Sequence, residues 1–273
     1  MGSSGSAPRG AFAHAAACVD RSEAGRRALA EARRLLPARL SVVHVAAAPR
    51  LTGRRFLRAL VADVPDAEPV LLWGPPADRI VSWAREARPD VVVAASHAGR
   101  MAGALGSTAR RLAIAAPCPT LIVPPGVEPG SPPAPGEGPY AHVACCIDDS
   151  EASMRALAEA RRLRALGPGR LSLVHVAPRA LIEDPVPGGG PGAPRDIATD
   201  QRDWLVATAA AVPGAEAVPL TGVAADTAVA WAREAGPDLI VAAAHRGALE
   251  RALLGSFAGH LAREAPCPAL LTR

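Results

Sequence analysis

The sequence contains no lysine and no asparagine, and all 30 of its basic residues are arginine. Without lysine, Schiff-base catalysis and a phosphate loop built on a lysine side chain are both excluded. Aromatic residues make up 3% of the chain, which leaves no platform of stacked rings for single-stranded nucleic acid. The formal net charge is +4, but the arginines alternate with Glu and Asp along helical stretches, as on solvated helix faces. We therefore expect no nucleic-acid partner.

Long uncharged hydrophobic runs are also missing, although 49% of the residues are hydrophobic. No such run reaches the roughly 18 residues that a membrane helix needs, so we expect no membrane partner. Residues 1–10 lack the apolar core of a secretory signal, and we expect them to be a disordered tail. The cysteines form no C-x-x-C pair, which is typical of small buried side chains in a reducing, cytoplasmic compartment. They are Cys18, Cys118, Cys145, Cys146 and Cys267.

The chain contains an internal repeat, because the segment Arg27–Leu35 recurs unchanged as Arg155–Leu163. Other blocks recur in the same order, among them Asp20-x-Ser22 as Asp148-x-Ser150, Leu40-Ser-Val-Val-His44 as Leu171-Ser-Leu-Val-His175, Gly106-Ser107 as Gly255-Ser256, and Pro-Cys118-Pro as Pro-Cys267-Pro. The repeat predicts two domains, 11–125 and 139–273, joined by a Pro/Gly-rich linker at 126–138. The second copy carries a Pro/Gly-rich insert at about 178–196.

Short β-branched runs alternate with amphipathic stretches in each copy. In the first copy they predict strands near 12–19, 40–46, 70–72, 91–95 and 120–123, and helices near 22–36, 53–64, 76–88 and 107–115. Ser22 and Ser150 fit the N-cap position of the first helix in each copy. This alternation predicts an α/β protein in which each copy is a five-stranded parallel sheet with helices on both faces. Ligands of such sheets bind at the carboxyl ends of the strands.

Three segments of each copy converge on that edge. Strand one ends at Asp20 or Asp148, and a carboxylate there can accept from an adenine amino group or a ribose hydroxyl, or can simply cap the next helix. Strand four ends at Ala95-Ser96 or at Ala243. The last helix opens at Gly106-Ser107 or Gly255-Ser256, where backbone amides suit an anion. Glycine followed by serine is also an ordinary helix start, so this segment alone indicates little.

The order and spacing of Asp-x-Ser, His-Val, Pro-Asp, Gly-Ser and Pro-Cys-Pro resemble the universal stress protein family over nearly the whole chain, twice. The resemblance implies two tandem Rossmann-like domains of the adenine nucleotide alpha hydrolase-like type. It also implies a stress-response regulator that binds ATP or AMP without robust catalysis, with weak ATP hydrolysis left open. No metal is expected beyond the Mg²⁺ that accompanies a nucleotide, since two histidines at one edge rarely make a zinc site.

Both copies depart from the G-x2-G-x9-G-S/T loop that nucleotide-binding members of this family carry. The first two glycines are replaced by Ala95 and Ala98 in copy one, and by Ala243 and Arg246 in copy two. The last spacer is seven residues in copy one and eight in copy two. A Cβ in this loop takes up room that phosphates need. Copy two is the better candidate, because its spacer is one residue short and Arg246 offers a phosphate partner.

The family's site residues carry over to the matching positions of this sequence. In copy two they would be Cys146, Asp148, Val176, Ala243, Arg246, Gly255, Ser256 and Phe257. In copy one they would be Cys18, Asp20, Val45, Ala95, Ser96, Gly106, Ser107 and Thr108.

Two other functions stay open. The chain is alternatively an interaction module that holds no nucleotide, because both loops are degenerate, or an adenine-nucleotide hydrolase or ligase, for which no base or metal ligands are visible. The resemblance further implies that the last strands of the two copies, Thr120–Val123 and Ala269–Leu271, pair edge to edge within the chain. That pairing would form a pseudo-dimer and leave open a further homodimer.

Overall fold

The computed structural model describes residues 12–47, 51–64, 66–96, 105–130, 133–134, 137–178, 197–245 and 254–273. The strands in these ranges are β1 His14–Val19, β2 Arg39–Ala46, β3 Ala67–Trp73, β4 Val91–Ala95, β5 Thr120–Val123, β6 His142–Cys146, β7 Arg170–Ala177, β8 Ala215–Thr221, β9 Leu239–Ala243 and β10 Ala269–Thr272. The helices are α1 Glu23–Arg34, α2 Leu51–Val61, α3 Pro76–Ala87, α4 Ser107–Ala115, α5 Glu151–Arg164, α6 Ile197–Ala210, α7 Ala224–Ala235 and α8 Ser256–Glu264. The predicted tail at 1–10 and most of the predicted insert lie outside the described residues.

All ten strands belong to one sheet, in the order β3-β2-β1-β4-β5-β10-β9-β6-β7-β8. Strands of the same half are parallel to their neighbours. β5 and β10 are antiparallel, with Ala269 opposite Ile122 and Leu271 opposite Thr120. The predicted five-stranded parallel sheets and the predicted pairing of the last strands within one chain are both confirmed.

The two outer edges of this sheet, β3 and β8, each contain a proline. Pro69 lies in β3 and Pro219 in β8. A proline has no N–H to donate, so it interrupts the row of hydrogen bonds that another chain would need to extend the sheet. The pairing of β5 with β10 covers the remaining edge of each half.

Helices cover both faces of the sheet, and each face has a core that runs across both halves. On one face, Leu35 and Leu57 of the first half share a cluster with Leu205 and Leu270 of the second. The other face collects α3, α4, α7 and α8 around residues such as Ile122. Because these clusters cross the β5–β10 boundary, the halves are packed as one body. No helix in the described ranges is long and apolar enough to cross a membrane.

Local signals place the ends of several elements where the sequence predicts them. Ser22 caps α1 by accepting from the amide of Gly25 at 3.2 Å, and Ser150 caps α5 in the same way. α3 begins at Pro76, as expected for a proline in the first helical turn. β3 is longer than the predicted 70–72, because its pairing with β2 recruits the residues on either side.

A buried polar cluster fastens the two halves together at the seam beside β5 and β10. The Tyr140 hydroxyl donates to Glu31 Oε1 at 2.6 Å, and both residues are buried. Arg34 lies 4.7 Å from the centre of the Tyr140 ring and 3.4 Å from Asp238. Burial raises the pKa of the Glu31 carboxyl and that of the Tyr140 hydroxyl. The cluster therefore ties α1 of the first half to two loops of the second.

The corresponding position on the other side of the pseudo-twofold axis lacks this hydrogen bond. There, Arg162 stacks 4.5 Å from the ring of Phe12, which has no hydroxyl. Glu159, the counterpart of Glu31, instead lies 3.3 Å from Arg162. The repeat has therefore diverged at the seam, and only one of the two stacked arginine–aromatic pairs includes a buried hydroxyl–carboxyl contact.

We predict that Tyr140→Phe lowers the free energy of unfolding by about 1–3 kcal/mol, because it leaves the buried Glu31 oxygen without its donor. Urea unfolding followed by circular dichroism measures the change. As a control, Tyr140→Phe combined with Glu31→Leu removes both polar partners and is expected to cost less than the sum of the two single changes. A Tyr140→Phe variant within 0.5 kcal/mol of the parent would show that the contact does not stabilise the seam.

Candidate functional site

A cavity of about 490 Å³ opens at the carboxyl ends of β6, β7 and β9 in the second half. This volume lies within the range of small-molecule sites in proteins. The strands and the first turns of α5, α7 and α8 form its wall. Its lining residues are Cys146, Ile147, Asp148, Ser153, Val174, His175, Val176, Ala224, Ala242, Ala243, Ala244, His245, Leu254, Gly255, Ser256, Phe257 and Ala258.

Asp148 forms one side of the cavity and is held by the start of α5. Its Oδ1 accepts from the amide of Ser150 at 3.0 Å and from the hydroxyl of Ser153 at 2.6 Å. The Asp148 amide in turn donates to the Ser153 hydroxyl at 3.1 Å. The helix-capping and the site interpretations of this carboxylate are therefore compatible, since a carboxylate oriented by the cap also lines the cavity.

The start of α8 forms the opposite side. Its N-cap is Gly255, no side chain caps it, and its first turn contains no acidic residue. The Gly255 amide donates to Ala244 O at 2.9 Å, and the amide of Gly259 makes the first bond back to Gly255 O. The amides of Ser256, Phe257 and Ala258 therefore have no acceptor within the helix. Open amides at the positive end of a helix dipole suit an anion.

The other two helix starts at this cavity each differ from α8, α5 in its side-chain cap and its acidic residue and α7 in its acidic residue alone. The start of α5 is capped by the hydroxyl of Ser150 and carries Glu151 in its first turn. α7 has Asp226 in its first turn. A negative charge or a side-chain cap satisfies such amides internally. Among these three helices, α8 is thus the one whose first turn is chemically suited to an external anion.

Between these two polar sides the wall is apolar. Cys146, Val174 and Ala242 are buried in the core beneath it, and Val176 lines it at the end of β7. A flat apolar ring fits against such a surface, while a hydroxyl or amino group reaches Asp148 and an anion reaches α8. The arrangement can bind a molecule with a ring at one end and a negative group at the other.

The structure brings most of the predicted second-half site residues together around this cavity. Seven of them line it: Cys146, Asp148, Val176, Ala243, Gly255, Ser256 and Phe257. Arg246, the predicted phosphate partner, lies outside the described residues, as do residues 247–253.

The predicted first-half residues occupy the equivalent positions. Cys18 and Asp20 lie at the end of β1, Val45 near the end of β2, Ala95 and Ser96 at the end of β4, and Gly106, Ser107 and Thr108 at the start of α4. As at α8, Gly106 is an uncapped N-cap without an acidic residue in the first turn. The Ser96 hydroxyl is buried and has no hydrogen-bond partner in the described part of the chain.

The first helix approaches its strand more closely in the first half than in the second. Gly25 stands where Ser153 stands in the repeat, and a Cβ on Gly25 would lie 2.6 Å from the backbone N and O of Asp20. Asp20 Oδ1 instead accepts from the amide of Ser22 at 3.0 Å and from its hydroxyl. The conserved spacing of the repeat therefore produces two different surroundings for the aspartate.

Sequence reasoning missed several wall residues. Ser153 was detectable in principle, because it replaces Gly25 in an otherwise matching helix start and lies three residues after the N-cap Ser150. Ala224 carries no such signal, since its place in the wall depends on where α7 packs. His175 lines the cavity at the end of β7, and its Nδ1 donates to Ile147 O at 2.7 Å.

The histidines at this edge bond to the backbone. His44 Nδ1 donates to Val19 O at 2.9 Å, which matches the contact of His175 in the other half. His97, which follows Ser96 in the sequence, lies outside the described residues. Within the described ranges, no three His, Cys, Asp or Glu side chains are grouped as a metal site would require.

Comparison with known proteins adds a family match. The model of the universal stress protein family matches residues 50–124 and 139–273. A sequence search of curated proteins finds no match. The first match begins after β2, yet the structure places β1, α1 and β2 in the first half in the same arrangement as their counterparts in the second.

Solved structures resemble the whole chain. A universal stress protein from Archaeoglobus fulgidus DSM 4304 is 16% identical with a TM-score of 0.69, and the match covers 95% of this chain and 98% of that one. A candidate universal stress protein from Pseudomonas aeruginosa UCBPP-PA14 is 13% identical with a TM-score of 0.67, covering 96% and 93%. A functionally unknown protein from P. aeruginosa PAO1 is 11% identical with a TM-score of 0.67, covering 96% and 92%. At these identities the likeness shows the fold.

We predict that the native protein reacts very slowly with a thiol reagent at pH 8. All five cysteines are free, and burial raises the pKa of Cys18, Cys118 and Cys146 to about 12, so little reactive thiolate is present. Burial also raises the pKa of Cys145 and Cys267. Titration with Ellman's reagent, with a sample in guanidinium chloride as the control, is expected to release five equivalents only after unfolding. Cys145, Cys146 and Cys267 are buried, whereas Cys18 and Cys118 are half-buried. Rapid release of one equivalent from native protein would contradict the raised pKa of these thiols.

Proposed function

Because this chain belongs to the universal stress protein family, we propose that its second half binds an adenine nucleotide, ATP or AMP, in the cavity between Asp148 and Ser256. In this proposal the protein is a cytoplasmic stress-response regulator whose nucleotide is a signal rather than a substrate for robust turnover. The observation that carries the proposal is one cavity with an apolar wall, an oriented carboxylate and an uncapped helix start.

The adenosine would lie toward β6 and β7. Cys146 and Val176 offer an apolar surface for the base, and Asp148 offers an acceptor for a ribose hydroxyl or an amino group. The phosphates would lie at the start of α8, near Ala243 and Phe257, where the open amides and the Ser256 hydroxyl donate to their oxygens. Arg246 is the proposed side-chain partner of the phosphates, and Mg²⁺ would enter only with the nucleotide.

Gly255 supports this assignment through its lack of a side chain. A Cβ at this position would lie 3.2 Å from Ala244 O, so a larger residue would displace the end of β9 from the start of α8. The same backbone must approach the phosphates closely, which glycine permits. Copy two remains the proposed site because its loop is closer to the family length than that of copy one.

The proposed organisation of the chain is a first domain at 11–125, a linker at 126–138 and a second domain at 139–273. In this arrangement the paired halves form a pseudo-dimer that leaves both carboxyl edges open, and a further homodimer would form outside β5 and β10. The alternative of a nucleotide-free interaction module rests on the altered loop glycines at Ala243 and Arg246.

We predict that ATP-Mg²⁺ and AMP bind the purified protein and that Ser256→Ala weakens binding about 10- to 100-fold, the loss expected when a donor to a charged group is removed. Gly255→Val is expected to abolish binding. Isothermal titration calorimetry measures both. The matched controls Ser107→Ala and Gly106→Val change the same positions of the first half and are expected to leave the second-half affinity unchanged.

Three outcomes would contradict the proposal in different ways. The absence of heat up to millimolar ATP, together with no nucleotide in heat-extracted protein, would favour the interaction module. Equal losses in the Ser256 and Ser107 variants would remove the assignment to the second half. Phosphate release above background, measured in the same samples, would favour an enzyme.

A further inference from the structure

A shallow basic depression lies at the carboxyl edge of the first half, formed by Arg21, Thr52, Arg55 and Phe56. Arg21 follows Asp20 at the end of β1, and its Nη2 donates to Thr52 O at 3.1 Å. The same guanidinium lies 5.6 Å from the centre of the Phe56 ring. Arg21 is thereby held in place while it stays exposed to solvent.

The charge around this depression is strongly positive. Arg54 and Arg58 are exposed on α2 next to Arg55, and none of these three forms a hydrogen bond or ion pair in the described part of the chain. The first turn of α2 contains no acidic residue. Nearby on the chain, Asp20 directs Oδ1 to Ser22, and Glu23 lies exposed in the first turn of α1.

The equivalent place in the second half carries the opposite charge. The ring of Phe56 contacts His44 at 5.0 Å, just as Trp204 contacts His175 at 5.4 Å, and this match aligns α2 with α6. Counting from it, Thr52 and Arg55 are replaced by Asp200 and Asp203, and the repeat of Asp20-x-Ser22 as Asp148-x-Ser150 places Asp149 opposite Arg21. Arg54 is kept as Arg202, and Arg58 becomes Val206. If these charged side chains served only to keep a helix surface soluble, their sign would not need to differ between the two copies of the repeat.

We propose that the basic depression of the first half binds an oligophosphate chain. Guanidinium groups form paired hydrogen bonds with phosphate oxygens, and several of them on one turn match closely spaced phosphates. The depression is shallow and contains one aromatic ring, which provides no groove for the apolar side chains of a peptide. The oligophosphate is either free or the phosphate tail of a nucleotide seated beside Asp20.

The experiment is calorimetric titration of the full chain with tripolyphosphate in 50 mM salt. One site is expected, with an affinity that falls as salt is raised because the arginines are exposed. Arg21→Gln combined with Arg55→Gln is expected to weaken binding at least tenfold. The control, Arg85→Gln combined with Arg161→Gln, removes the same charge from exposed positions of α3 and α5 and is expected to leave binding unchanged. Circular dichroism and urea midpoints show that each variant folds.

A reciprocal variant tests whether these positions make the site. Asp149→Arg, Asp200→Thr and Asp203→Arg together replace the three second-half aspartates by the residues at the matching first-half positions, and the stoichiometry is expected to rise from one to two. A stoichiometry that remains at one would contradict the assignment. The proposal would be overturned by an absence of binding, by equal losses in the test and control variants, or by equally tight binding of a poly-glutamate peptide, which would indicate an acidic protein partner.

Ser107→Ala, made in a Gly255→Val background that lacks the proposed second-half nucleotide site, separates the two sources of oligophosphate. If the source is a nucleotide in the first half, ATP binds more tightly than tripolyphosphate and Ser107→Ala weakens ATP alone. If the source is free oligophosphate, ATP binds no more tightly and Ser107→Ala changes neither ligand. Either result supports the proposal that the basic depression binds an oligophosphate chain. Both are independent of the Ser256 variant, so loss of the second-half nucleotide site would leave this test intact.

Discussion

The antiparallel pairing of β5 with β10 is the constraint on which the rest of this structure depends. Without this pairing, β5 of the first half and β10 of the second would each be an exposed edge strand. The antiparallel pairing, with Ala269 opposite Ile122, covers both of these edges at once. It also brings together two apolar helix layers, so that Leu35 and Leu270 share one core. The Tyr140–Glu31 contact becomes possible only after this pairing, because it joins residues 109 positions apart.

The same pairing sets the relation between the two carboxyl edges. Strands are parallel within each half and antiparallel across the seam, so the edges that bear Asp20 and Asp148 face opposite directions. Each edge therefore evolves its own chemistry without disturbing the other. Glycine at 25 against serine at 153, and arginine at 21 against aspartate at 149, are the results of that freedom. A duplicated scaffold thus supports two different proposed ligands.

Local sequence signals predicted much of the fold and part of the site. Hydrophobic periodicity predicted β4, β5 and α4 with their observed bounds. A short periodic run next to a clear helix start allows few alternative positions for the ends of the element. The repeat then predicted the corresponding strands and helices of the second half. The edge residues were predictable because parallel strands must end together. Ser153 and Ala224 were not predicted as wall residues, since their positions depend on how closely a helix packs against its strand.

By itself the sequence determined the duplication, the order of strands and helices, the caps at Ser22 and Ser150, and the set of side chains that follow each strand. These follow from signals that are only a few residues long. The tertiary structure alone decided the register of β5 against β10, the stacking of Arg34 on Tyr140, and the inverted charges beside Phe56 and Trp204. Such contacts join residues far apart in the chain, and their free energy depends on packing that no local pattern encodes.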